Sequence, residues 1–357
     1  MIRIFAAPTR YIQGPGALAR VGPVVAALGH RPLLVADTLV AGLVGPEIVR
    51  GFAAPAPALL NFNGEVTDAN IAALLGQPAA ASADVVVGIG GGKALDAGKA
   101  AALKLGVPYV SVPTIASNDG PASRGIAMYD DSHRLVRVDQ LPANPACVIV
   151  DTAVIARAPV RFLRAGIGDA IAKKFEAEGC RAGGGLTKHG TPPMHTALVL
   201  ADAAYRLLRQ HAAGALRACE RGEPDDDLEA TVEAAVLLSA MGFENGGLSI
   251  AHSVTRGLQA VRGARDRLHG EHVAYGTLVH RHVDGAGEQA LEDLIGFFRE
   301  TGLPTSLADL GLAAPTTAEK ATIATLTMQS PHIRNLGRSV TQESLLAAID
   351  WLESRPA

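Results

Sequence analysis

Strand-like and helix-like segments alternate through the first part of this chain, and then the strands stop. The runs PLLVAD (32–37), DVVVGIG (84–90), PYVSVPT (108–114) and ACVIVDT (146–152) are apolar, rich in β-branched residues and ended by Gly, Asp or Thr. They read as strands buried on both faces. Alanine-rich stretches of helical composition, GALARVGPVVAALG and KALDAGKAAALKLG, lie between them. This alternation predicts a parallel α/β sheet, with ligands beyond the carboxyl ends of its strands. From about residue 153 only amphipathic helical pattern remains, as in PPMHTALVLADAAYRLLRQHAAGALRACERG and DLEATVEAAVLLSAMGFENGG. The charge run RGEPDDDLE (221–229) reads as a solvated loop with a helix N-cap. The predicted organisation is an α/β nucleotide-type domain over residues 1–155, an all-helical domain over 156–357 and a cleft between them. A length of 357 residues suits two domains.

Composition narrows the function by exclusion. A formal net charge of −3 gives no electrostatic case for nucleic acid. Cys147, Cys180 and Cys219 match neither a zinc-site spacing nor an even disulfide set, and read as reduced core thiols. The opening MIRIFAAPTRYIQGPGAL meets polar and proline residues before any signal-length apolar run, and no segment has the ~18–20 unbroken apolar residues of a membrane span. The expectation is a soluble cytoplasmic protein without nucleic-acid or membrane partners.

The stretch GIGGGKALDAGKA (88–100) carries the first chemical signal. It departs from G-x-G-x-x-G at the last glycine, and Ala94 stands where a P-loop needs Ser or Thr. With Val85–Val87 as the strand end and Lys93 opening a helix, the glycines are expected in the strand-to-helix turn. There Gly90, Gly91, Gly92 and Lys93 turn backbone N–H groups and the positive end of a helix dipole toward a phosphate. The competing reading is a tight turn for geometry alone. Asp37 ends PLLVAD, where a carboxylate accepts from ribose hydroxyls and repels a 2′-phosphate, favouring NAD over NADP. Position alone equally allows a helix N-cap.

The ordered motifs PTRYIQGPGAL, FNGEVTDANI, GIGGGKALDAGKA, VPTIASNDGPAS, GIGDAIAKKFEA, GFENGGLSIAHSVTRGL and LHGEHVAYGTLV span essentially the whole chain. Together they resemble the glycerol dehydrogenases of the iron-containing alcohol dehydrogenase superfamily, which also holds glycerol-1-phosphate dehydrogenase and, more distantly, dehydroquinate synthase. The resemblance implies a dehydroquinate synthase-like fold, NAD in the cleft and a metal held by the helical domain. It implies that Asp37, the GGGK turn, Asp96, Thr114, Ser117, Ser123, Gly125 and Tyr129 serve the cofactor, and Asp119 the hydroxyls of a polyol. It also implies a homo-oligomer, in some members a ring-shaped octamer. Read bottom-up, SNDGPAS is equally an Asx-turn.

The same resemblance selects Asp169, His252 and His269 as metal ligands. Singly, they read as an N-cap at the start of a helix, a buried histidine and a surface histidine. One carboxylate and two imidazoles leave a coordination position open, as catalytic zinc requires. Iron-type members carry a further histidine one turn after the aspartate, where this chain has Lys173, a poor ligand while protonated. Zinc is the predicted metal. The reaction expected is NAD-linked oxidation of glycerol or a similar small vicinal diol to the ketone. Thr255, Arg256, Arg124, Gly125 and Lys173 depart from the family pattern, and the added cations match an acidic or phosphorylated polyol as readily as they match solvent. A carbocycle-forming lyase and a non-catalytic NAD sensor are the readings from other classes.

Overall fold

The computed structural model describes residues 2–53 and 56–355. Six strands form one parallel sheet: β1 (Tyr11–Gly14), β2 (Pro32–Ala36), β3 (Ala58–Asn61), β4 (Val85–Gly90), β5 (Tyr109–Pro113) and, after two strands outside the sheet, β8 (Cys147–Asp151). Their order is β1-β8-β5-β4-β2-β3. The four apolar runs are its four central strands, as continuous burial requires. β1 and β3 are edges of four residues each, only partly buried, with no apolar run to announce them. β6 (Gly125–Tyr129) and β7 (Leu135–Gln140) form a separate antiparallel hairpin. β7 is largely exposed, so it lacks the alternation that marks a half-buried strand.

Helices α1 (Val21–Ala26), α2 (Thr38–Arg50), α3 (Asp68–Leu75) and α4 (Gly92–Leu105) belong to the sheet region. After β8 the chain is helical: α5 (Thr152–Arg157), α6 (Val160–Ile171), α7 (Lys173–Ala182), α8 (His195–Arg221), α9 (Asp226–Val232), α10 (Ser239–Gly246), α11 (Ile250–Leu258), α12 (His269–Val283), α13 (Glu288–Thr301), α14 (Thr317–Met328) and α15 (Gln342–Glu353). The RGEPDDDLE loop does carry a cap: the Asp225 carboxylate accepts from Leu228 N–H. A π-helical segment, Glu233–Leu238, joins α9 to α10. Among the described residues no single helix is long and apolar enough to cross a membrane. All three cysteines are free and buried.

The two regions share their packing. The largest apolar core takes in Val148 and Val150 of β8 and Ala116 of the loop after β5, together with residues of α6, α8, α11 and α12. Polar ties cross the same boundary. Gln13 on β1 donates to the Glu229 carboxylate at 2.7 Å, and Thr152 Oγ1 donates to its other oxygen at 2.5 Å. The two regions therefore rest on a continuous core.

Candidate active site and metal centre

At the carboxyl end of the sheet, β4 runs through Gly90, Gly91 is the N-cap and α4 begins at Gly92. The turn is shorter than the sequence led us to expect. Gly88 and Gly90 belong to the strand, paired with Ser111 and Pro113 of β5. A Cβ on Gly88 would overlap the Tyr109 hydroxyl, so that glycine serves strand packing. Gly91, Gly92 and Lys93, at the positive end of α4, line a cavity of about 510 Å³ with Asp37, Asn63, Glu65 and His133. Asp37 caps α2, its Oδ1 accepting from Val40 N–H at 2.8 Å, and its carboxylate also lines the cavity. The cap reading of Asp37 holds, and the residue also faces the cavity. Glu65 pairs with Lys93 and lies 3.1 Å from His133 Nδ1. Neither Glu65 nor His133 was legible as a cavity residue.

Thr114, Ser117, Ser123, Gly125 and Tyr129 lie outside that cavity, on the segment leading from β5 into β6. Thr114 N–H donates to Gly90 O at 3.1 Å, and Gly125 N–H to Ser123 Oγ at 2.9 Å. Asp96 is engaged elsewhere. Its carboxylate accepts from Ala127 N–H at 3.1 Å and meets the buried Lys99 ammonium at 3.3 Å, fastening α4 to β6. Lys99 also donates to Gly120 O and Gly125 O, at 2.8 and 2.9 Å, so one buried cation holds the SNDGPAS loop in place.

The metal cluster is assembled by close helix contacts. Asp169 lies in the last turn of α6, not at a helix start as expected, because the helix begins at Val160 and runs on through Gly166 and Gly168. A Cβ at Gly166 would run into the Ala116 carbonyl, and one at Gly270 into the Ala165 carbonyl. These glycines let α6 press against the SNDGPAS loop on one side and α12 on the other. His269 is the first residue of α12, and His252 lies in the first turn of α11. Asp169 Oδ1 is 3.3 Å from His252 Nε2 and 3.8 Å from His269 Nε2. Two ligands about 2.0–2.2 Å from a tetrahedral ion lie roughly 3.3 Å apart, so the donor set fits a divalent cation.

Glu176 completes the set and was missed from sequence. Its Oε2 lies 2.6 Å from His252 Nδ1, and its Oε1 accepts from His252 N–H at 2.9 Å. A proton on Nδ1 leaves the Nε2 lone pair facing Asp169, the orientation a ligating imidazole needs. Burial works against the Glu176 charge, but His252 and Lys173 bring its pKa down to about 2. Burial likewise opposes the Asp169 charge; Lys173, His252 and His269 prevail and hold it well below the usual carboxylate range. Desolvation by its neighbours takes His269 down to about 4 although 42% of its side chain is exposed, leaving a neutral ring.

Lys173 reaches the same carboxylate. Its buried ammonium lies 2.6 Å from Asp169 Oδ1, 3.1 Å from His252 Nε2 and 3.3 Å from Asp119 Oδ2. Asp119 also accepts from Ser239 Oγ at 3.1 Å, and its N–H donates to Asp169 Oδ2 at 3.3 Å. Arg124 is half-buried: its N–H donates to Glu244 Oε1 at 2.8 Å and its Nη2 to Lys188 O at 3.1 Å. Arg256 is exposed on α11, one turn beyond His252.

Known proteins resemble this chain in sequence and fold. A family model described as iron-containing alcohol dehydrogenase matches residues 12–159. A glycolaldehyde reductase of Halobacterium salinarum is 38% identical over 317 residues, covering 88% of this chain and 87% of its own. A glycerol dehydrogenase of Escherichia coli O6:H1 is 37% identical over 352 residues, 98% of this chain and 96% of its own. The crystal structure of glycerol dehydrogenase from Schizosaccharomyces pombe superposes with a TM-score of 0.94 at 31% identity, covering 99% of this chain and 91% of that one. With relatives well above 30% identical over most of its length, this chain belongs to the iron-containing alcohol dehydrogenase family.

Proposed function

We propose that this protein oxidises glycerol or a similar small vicinal diol to the ketone, with NAD as hydride acceptor and zinc as the metal. The observation that carries the reading is the convergence of Asp169, His252 and His269 with Glu176 behind His252. Two glycerol dehydrogenases of similar sequence or structure support the diol as substrate. Zinc is favoured by the donor set itself, one carboxylate and two imidazoles, with Lys173 where a further histidine would add a ligand. When bound, zinc supplies the Lewis acidity that brings an alcohol's pKa toward neutrality, and NAD supplies the hydride acceptor.

The chain's own residues supply alignment. The N–H groups at Gly91–Lys93 hold a pyrophosphate, and Asp37 turns its carboxylate to the ribose. Thr114, Ser117, Ser123, Gly125 and Tyr129 flank the cofactor. Asp119, fixed by Ser239 and Lys173, accepts from a polyol hydroxyl. Asp96 positions β6 by accepting from Ala127 N–H. The protein works in the cytoplasm as a homo-oligomer, which size-exclusion chromatography with light scattering checks. The activity is tested by following NADH with glycerol and short diols, before and after chelation and zinc restoration. Metal-dependent NADH formation is expected. Metal-dependent turnover without NADH would point to a lyase, and no turnover of any alcohol would overturn the reading.

A further inference from the structure

Lys188 belongs to the Gly-rich connection between α7 and α8, yet it is half-buried and held in place. Its backbone is pinned: Arg124 Nη2 donates to its carbonyl at 3.1 Å, Thr187 N–H to Thr191 O at 2.9 Å, and His189 Nε2 lies 3.2 Å from Asn245 Oδ1. Its ammonium lies 5.4 Å from the Phe243 ring centroid, and that of Lys173 lies 5.9 Å from the same centroid. Lys188 thus shares the Phe243 ring with the lysine that touches Asp169 and Asp119. Among the described residues no carboxylate forms an ion pair with it, although Asp119 and Glu244 are within electrostatic reach. Burial lowers its pKa. A half-buried cation without a carboxylate in ion-pair contact is costly, and an incoming anion offsets that cost. Glycerol offers no such partner.

We propose that Lys188 contacts the substrate and that the substrate carries an anionic oxygen group, a carboxylate or a phosphate, beside the alcohol that is oxidised. Arg124 is the positioning residue, holding the Lys188 carbonyl while its own buried Nε makes no hydrogen bond. The inference rests on the reading of an NAD-linked alcohol oxidation at this site and names its substrate class. The chemistry balances as before. The carbinol carbon gives hydride to NAD+, the hydroxyl proton is released, and the anionic group passes through unchanged.

The test compares glycerol, glycerate and glycerol phosphate as substrates for the zinc-loaded protein and its Lys188→Met and Lys188→Arg variants. The unaltered protein is expected to show a higher kcat/KM for one of the two anions than for glycerol; which anion wins distinguishes carboxylate from phosphate. Lys188→Met should lower that value about ten- to a hundredfold, the worth of a charge-assisted hydrogen bond, and by a larger factor than it lowers the value for glycerol. Lys188→Arg should restore most of the loss. Thermal melting reports that the variants fold. Preference of the unaltered protein for glycerol, or an equal loss on all substrates in Lys188→Met, overturns the proposal and leaves the dehydrogenase reading standing. Absence of NADH formation with every alcohol would overturn both.

Discussion

At the residue scale the site separates groups that announce themselves from groups that do not. Asp169, His252 and His269 were legible because the motifs around them are specific. Glu176 was not, since an acid in KKFEAEG reads as the solvated face of a helix. Asp169, Lys173 and Glu176 are spaced i, i+4, i+7, which places all three on one helical face, and that spacing was the available clue. Glu176→Gln should weaken zinc binding about ten- to a hundredfold, the usual effect of losing a ligand's carboxylate partner. Competition with a chromogenic chelator measures it, and an unchanged affinity would refute the role. Asp37 calls for a paired design, because it caps α2 as well as lining the cavity. Asp37→Ser keeps a capping oxygen and removes the charge that repels a 2′-phosphate. It should narrow the preference for NAD over NADP without loss of thermal stability. An unaltered protein faster with NADP would contradict the assignment.

At the scale of elements, the strands that sequence could show were those buried on both faces. β1 and β3 were missed because a four-residue half-exposed edge has no periodicity to detect, and β7 because it is mostly solvated. The position of Asp169 was misjudged for a related reason. Glycines in AGIGDA look like a helix boundary, whereas here they sit inside α6 so that its backbone can meet Ala116. Side-chain volume, not helix propensity, decides at Gly166. Gly166→Ala therefore improves intrinsic helicity yet forces α6 off the SNDGPAS loop. Overpacking of this kind costs about 1–3 kcal/mol, and the lost approach separates Asp169 from Asp119. The expected outcome is a lower urea midpoint together with a rise in zinc Kd. A variant as stable as the parent with unchanged zinc affinity would show that the contact is not needed.

At the scale of the whole molecule, the metal cluster joins segments far apart in sequence. Asp169, His252 and His269 come from α6, α11 and α12, and the Asp119 N–H reaches Asp169 from the sheet side. An unfolded chain cannot present these donors together, so binding free energy adds to folding free energy. A ligand at a hundred times its Kd stabilises the folded state by about 2.7 kcal/mol. Unfolding entropy of about 2.1 cal/mol/K per residue makes a chain of 357 residues gain about 4 °C from that amount. Chelation should therefore lower Tm by about 4 °C, and zinc should restore it, whereas magnesium, which prefers octahedral oxygen ligands, should not. Asp169→Asn should abolish turnover, leave NAD binding nearly intact and show no Tm response to chelator. The cavity at the start of α4 takes no residue from α6, α11 or α12, so the two responses are expected to separate. If Asp169→Asn still lost 4 °C on chelation, the ion would be held elsewhere, and the cluster would be an ion-pair network between helices.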